Sequence, residues 1–143
     1  MLPPSSPARQ PSDAFFPLPL DVRLIEDSDA GLWQLLAPFH YWSAILGLIV
    51  VPAGFQTDFC SVPRLAVLYS LWGNTARRSG VVHDYLYEAR PCDRETCDRV
   101  LREAIEAQGL SHIQAQAFYE AVRIGGAAYW PDPSSPISPI AFP

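Results

Sequence analysis

The stretch Val81-Val82-His83-Asp84-Tyr85-Leu86-Tyr87, with Asp98 further along the chain, holds the residue types that move protons. On a helix, His83 and Tyr87 lie four residues apart and share a face, and an antiparallel neighbour carrying Asp98 brings a carboxylate to the far nitrogen of the imidazole. That is a general base with its orienter. Asp84, one residue on, points about 100° away and is expected as a candidate holder of a hard cation beside the histidine. The same residues also serve a purely architectural purpose, in which a buried His bonded to Asp and Tyr ties two helices together. In both cases His83, Asp98 and one of Tyr87 or Asp58 are expected in one hydrogen-bonded cluster, because buried polar groups in an apolar chain must pair.

A second constellation is Gly54-Phe55-Gln56-Thr57-Asp58-Phe59-Cys60-Ser61-Val62-Pro63-Arg64. Thr57, Asp58 and Ser61 gather short polar side chains after a strand and before Pro63, which is first of all turn chemistry. The functional alternative gives Asp58 an ionic task beside His83 or Arg94, since an acid flanked by Phe55 and Phe59 sits in a partly dry place and needs a partner. Two weaker sites use the same histidine. Cys92, Cys97 and His83 are three zinc-ligand types without a paired C-x2-C. Ser61 with His83 and Asp98 has the composition of a hydrolase triad but no G-x-S-x-G elbow.

These residues need elements to position them, and the chain supplies strands first and helices second. Val22, Leu24 and Glu26 alternate with Arg23 and Ile25, and Asp27 to Gly31 turns the chain into Leu32 to Leu36, which reads as a β-hairpin. Phe39–Trp42 and Leu48–Val51 read as further short strands, although a helix through residues 40–51 stays open. The second half takes helical periodicity. A helix over Thr75–Glu88 turns Val82, Leu86 and Tyr85 inward; Asp93 caps a second, with Cys97, Val100, Leu101, Ala104 and Ile105 on one face and Gly109 as the stop. Ser111 and Gln114 form the capping box of a third, whose stripe runs Ala115, Phe118, Val122, Gly125, Tyr129. The fold class expected is α+β: a small N-terminal antiparallel hairpin or sheet, then about three helices.

Proline divides the rest. Of the 15 prolines only Pro38, Pro52, Pro63 and Pro91 lie between Leu20 and Trp130, so residues 1–20 and 131–143 are expected to be extended arms around a single domain at 21–130. Phe15, Phe16, Ile137, Ile140 and Phe142 make those arms apolar, and apolar arms want a groove, on their own domain or on a neighbouring subunit. The 143 residues suit one domain, and 49% hydrophobic against 17% charged residues gives it a core. A formal charge of -5 speaks against nucleic acid as a partner, since counterion release needs clustered cations. The apolar run from Ala44 to Val51 is about half the ~20 residues of a membrane span. Three cysteines and no visible signal peptide are what a chain made in a reducing cytoplasm has.

Four spaced motifs carry a resemblance: Val51 to Arg64, His83-Asp84-Tyr85-Leu86-Tyr87, Arg94 with Cys97-Asp98, and Ala121-Val122-Arg123 with Gly125 and Trp130. Over roughly residues 15 to 130 the chain resembles the domain of unknown function family 1353. The resemblance implies a phage-encoded protein of the tail or late-gene region. It would be made in the host cytoplasm, assembled into the virion, and bound to other phage structural proteins or to copies of itself. Separately, His-Asp-x-x-Tyr followed by an Asp-bearing helix is similar to the phospholipase A2 helices. That similarity implies His83 as base, Asp84 as calcium ligand, Tyr87 as support and Asp98 as orienter, although the Gly-rich calcium loop and flanking disulfides of such enzymes have no counterpart here. The expectation is a tail-associated structural or assembly protein without a cofactor. The alternative is a hydrolase acting on lipid or cell-envelope material, with calcium as its cofactor.

Overall fold

The computed structural model describes residues 14–27, 31–59, 68 and 76–130. Ser61, Ile137, Ile140 and Phe142 lie outside the described residues. Among the described residues the elements are, in order, the strands β1 (Val22–Glu26), β2 (Leu32–Leu35), β3 (Phe39–Ser43), β4 (Gly47–Val51) and β5 (Gln56–Thr57), and then the helices α1 (Arg77–Ala89), α2 (Arg94–Ala107) and α3 (His112–Gly125), with a 3-10 turn over Gly126–Tyr129. The architecture is α+β.

The expected hairpin is present: β1 pairs antiparallel with β2 in the register Val22 to Leu35, with a bulge between Leu24 and Glu26. β5 adds to the other edge of β2, giving the order β1-β2-β5. The segment left open between helix and strand is a second hairpin, β3 against β4, in which Phe39 faces Val51 and Tyr41 faces Ile49. Its alternation explains the choice. Phe39, Tyr41 and Ser43 point inward along β3, as do Ile49 and Val51 along β4, so a period of two buries more than a period of 3.6 can.

Each helix is set by local signals. Asp93 accepts from the Thr96 amide to open α2, and Ser111 and Gln114 form the reciprocal box that opens α3. Arg90 ends α1 in a left-handed conformation, φ 48°, with its amide bonded to the Leu86 carbonyl. Cys97, Val100, Leu101, Ala104 and Ile105 are all buried, as their spacing requires. One core lies between the strands and the facing sides of α1 and α2, and a second between α2 and α3. A polar strut joins strands to helices: buried Glu103 on α2 accepts from the Tyr41 hydroxyl at 2.6 Å and from the Ala44 amide at 3.1 Å. Among the described residues no helix is long and apolar enough to cross a membrane.

Two expectations are corrected. The apolar stripe of α3 does not run on to Tyr129, because the helix tightens into the 3-10 turn at Gly126 and the change of period rotates Tyr129 to an exposed position. Phe16 is not a residue held out for a partner. Its ring stacks on Phe39 at 5.5 Å and packs tilted against Tyr41 at 4.6 Å, while Phe15 exchanges backbone hydrogen bonds with Trp42 at the edge of β3. This part of the N-terminal arm fills a groove of its own chain; the Phe15 side chain stays 39% exposed.

Candidate functional site

His83 and Tyr87 lie one turn apart on α1, and the antiparallel neighbour α2 brings Asp98 between them. The Asp98 Oδ1 atom takes both: it is 2.8 Å from His83 Nε2 and accepts from the Tyr87 hydroxyl at 2.7 Å. Its other oxygen faces cations. Arg123 on α3 donates to Oδ2 at 2.8 Å, and Arg94, one turn back on α2, stands at 3.4 Å. Arg94 also donates to the Val122 carbonyl at 3.0 Å, so it joins the open end of α3 to the same carboxylate. The cluster expected from the sequence is therefore present with Tyr87, and it ties three helices.

Asp98 is 0% exposed and accepts from two guanidinium groups and a phenol, so it acts as the acceptor of the cluster and Nε2 of His83 is assigned as the donor toward Oδ1. Burial and the bond to Asp98 both push the Tyr87 phenol well above its usual value, and it remains a donor throughout the neutral range. Burial works against the charge of Arg123, but its hydrogen bond and attraction to Asp98 prevail and raise its pKa.

His83 is only 2% exposed, yet it lines a cleft of about 370 Å³ together with Leu32, Phe55, Thr57, Asp58, Asp84 and Glu88. With Nε2 bound to Asp98, the remaining ring nitrogen, Nδ1, makes no hydrogen bond to any described residue. Thr57, at the end of β5, gives the strand-end motif a specific task. Its hydroxyl donates to Asp84 Oδ2 at 2.6 Å and accepts from the Phe59 amide at 3.0 Å, which supports the left-handed backbone of Phe59, φ 66°. Asp58 lines the cleft with His83 and Tyr87. Arg94 stands against Asp98.

Calcium was the cofactor implied for Asp84. That carboxylate carries the Thr57 hydroxyl, and among the described residues no group of three or more His, Cys, Asp or Glu side chains is placed to hold a metal. His83 Nε2 faces Asp98, while Cys92 and Cys97 face each other, Sγ to Sγ 3.5 Å. The Ser61 triad lies outside the described residues.

Arg123 stands in the sequence only within the fourth family motif, with no partner assigned to it, and its partner is Asp98. Glu88 and Tyr129 line the cleft from the end of α1 and from the 3-10 turn. Gly126 has no role assigned from the sequence: a Cβ there would collide with the Tyr87 hydroxyl and come within 3.2 Å of Arg94 Nη1. The backbone of the 3-10 turn thus seals the cluster from behind, and only glycine allows that approach.

Comparison with protein families matches residues 33–122, more than half of the chain, to the family described as "Protein of unknown function (DUF1353)". The chain belongs to the DUF1353 family. The matched span takes in β2 from Trp33, β3 to β5, all of α1 and α2, and α3 as far as Val122, so it holds His83, Asp84, Tyr87 and Asp98 and stops one residue before Arg123. Neither the curated proteins nor the solved structures contain a match to it.

Proposed function

We propose that the protein is a hydrolase in which His83 activates water for attack on an ester of lipid or cell-envelope material. The observation that carries the reading is the division of labour on the imidazole. Nε2 is held by a buried, arginine-clamped Asp98, while Nδ1 is left without a described partner on a residue that lines a cleft. An imidazole fixed in one tautomer and one orientation is what a general base requires. In the reaction, Nδ1 takes a proton from water as its oxygen bonds to the ester carbonyl. The resulting imidazolium, faced by Asp98 and by the acidic cleft residues Asp84, Asp58 and Glu88, returns that proton to the departing alkoxide. Leu32, Phe55 and Tyr129 offer the acyl portion an apolar wall.

The test is hydrolysis of chromogenic carboxylic esters and release of fatty acid from phospholipid vesicles, each in calcium and in chelator, with His83→Asn as the control. Loss of about 100-fold or more in His83→Asn is expected. Equal rates for the two proteins on every substrate overturn the reading. Activity only in calcium gives Asp84 a ligand's role, and activity in chelator removes it.

A second reading, a virion tail structural or assembly protein that docks on other phage structural proteins or on its own copies, is favoured by the exposed Phe15 and Leu18 on the N-terminal arm. It predicts that particles assemble normally with His83→Asn and fail when the arms are removed. The two readings are compatible, since a tail-borne hydrolase meets envelope lipid on entry.

A further inference from the structure

Cys92 and Cys97 stand on either side of the first turn of α2. Cys92 lies in the connection from α1, immediately before the capping Asp93, and is half-buried; Cys97 is one helical turn further on and wholly buried, its Sγ 3.9 Å from the Leu86 carbonyl. The positions are those at which a helix start is commonly stapled by two apolar side chains. Here the staple is two free thiols with sulfurs 3.5 Å apart. A disulfide needs the sulfurs at roughly 2.05 Å, so closure asks for a shift of about 1.5 Å, and Cys92 sits in a connecting turn that can yield.

We propose that Cys92 and Cys97 form a reversible dithiol–disulfide couple that closes covalently across the first turn of α2 by exchange with a small-molecule disulfide. The roles of the two sulfurs differ. The hydrogen bond from Cys97 lowers the Cys92 pKa, whereas that same bond and burial raise Cys97, so Cys92 is the attacking thiolate and Cys97 the resolving thiol. The Cys92 thiolate bonds to one sulfur of the external disulfide and expels one thiolate, which takes up the proton Cys92 had lost. Cys97 then gives up its proton, bonds to Cys92 Sγ and expels the second thiolate. Two protein thiols are oxidised, one disulfide is reduced to two thiols, and added thiol reverses both steps. Arg94 lies inside the closed loop and Asp98 follows it directly, so the bond fastens the helical turn that carries the orienter of His83. The couple does not depend on the hydrolase reading.

The experiment treats the full chain with excess oxidised glutathione, quenches in acid, alkylates remaining thiols and digests with an Arg-specific protease. Cleavage after Arg94 separates the two cysteines, so the expected product is a disulfide-linked pair, Ser79–Arg94 with Glu95–Arg99. The melting temperature should rise by about 5 °C and return on reduction. Cys97→Ala should stop at a glutathione adduct on Cys92. The proposal is overturned if the unsubstituted chain keeps that adduct unresolved, if the disulfide maps to Cys60, or if Cys92 and Cys97 are both still fully alkylated.

Discussion

Replacing Asp98 with alanine removes the one group that His83, Tyr87, Arg94 and Arg123 share, and its cost follows from how each partner is placed. His83 and Tyr87 are buried at 2% and 6% exposure, and each loses a bond of under 3 Å, so each becomes an orphaned donor worth roughly 1–3 kcal/mol. The arginine side chains are 18% and 31% exposed and can turn toward water, which limits the loss from each to about 1 kcal/mol or less. Together these give roughly 2–8 kcal/mol, which brackets the ~3–5 kcal/mol typical of removing one member of a buried ionic network, and a fall in melting temperature of roughly 10 °C. Asp98→Asn is the discriminating companion. Its oxygen still accepts from His83 and Tyr87, but its amide faces the Arg123 guanidinium, so a loss of roughly 1–2 kcal/mol is expected. Urea unfolding at neutral pH measures both. Asp98→Ala within 1 kcal/mol of the parent, or no gap between Ala and Asn, refutes a load shared through this carboxylate.

Gly126→Ala places a methyl group against the Tyr87 hydroxyl, and a thermal melt should show roughly 1–3 kcal/mol of destabilisation together with weakened hydrolysis. Glu103 titrates above the ordinary glutamate range because it is buried, in spite of its bonds from Tyr41 and Ala44. A raised folded-state pKa means that its stabilising contribution is full below the unfolded value and is lost as pH rises through the folded one. In urea unfolding, Glu103→Gln should therefore gain on the parent as pH rises from the free-glutamate value of about 4.3 through the folded-state value, and a constant difference across that rise contradicts the assignment.

The parts of the site that sequence made legible are those fixed by one helix or by one short connection. His83 and Tyr87 share a face because the helical period demands it, and Asp98 reaches them because the brief turn at Arg90–Asp93 forces α1 and α2 to run antiparallel. The capping signals of Asp93 and Ser111 are equally local. Arg123 was not legible, since its contact with Asp98 depends on how α3 packs across α2, which neither spacing nor charge encodes. The error at Tyr129 has the same origin: apolar spacing continued, but the close approach of Gly126 to Tyr87 required a tighter turn. Phe16 shows the limit of composition. An apolar residue between prolines asks for a groove, and only the placement of Phe39 and Tyr41 shows that the groove belongs to the same chain.

The two edges of the Asp98 carboxylate also explain why one cluster can support both architecture and chemistry. Its Oδ2 edge faces Arg94 and Arg123, which bind the three helices together through an ionic contact and the carbonyls of α3. Its Oδ1 edge faces the His83 ring and the Tyr87 hydroxyl, both of them on the helix that lines the cleft. A carboxylate held only by His83 and Tyr87 would be a buried polar group with too few partners. The arginines supply the missing partners at its other edge. With Oδ2 clamped, Oδ1 is held against Nε2, and the imidazole is oriented with Nδ1 as its remaining nitrogen on a residue that lines the cleft. Packing supplied at one edge is therefore the condition for orientation at the other, and the helix packing and the proposed proton transfer rest on one carboxylate.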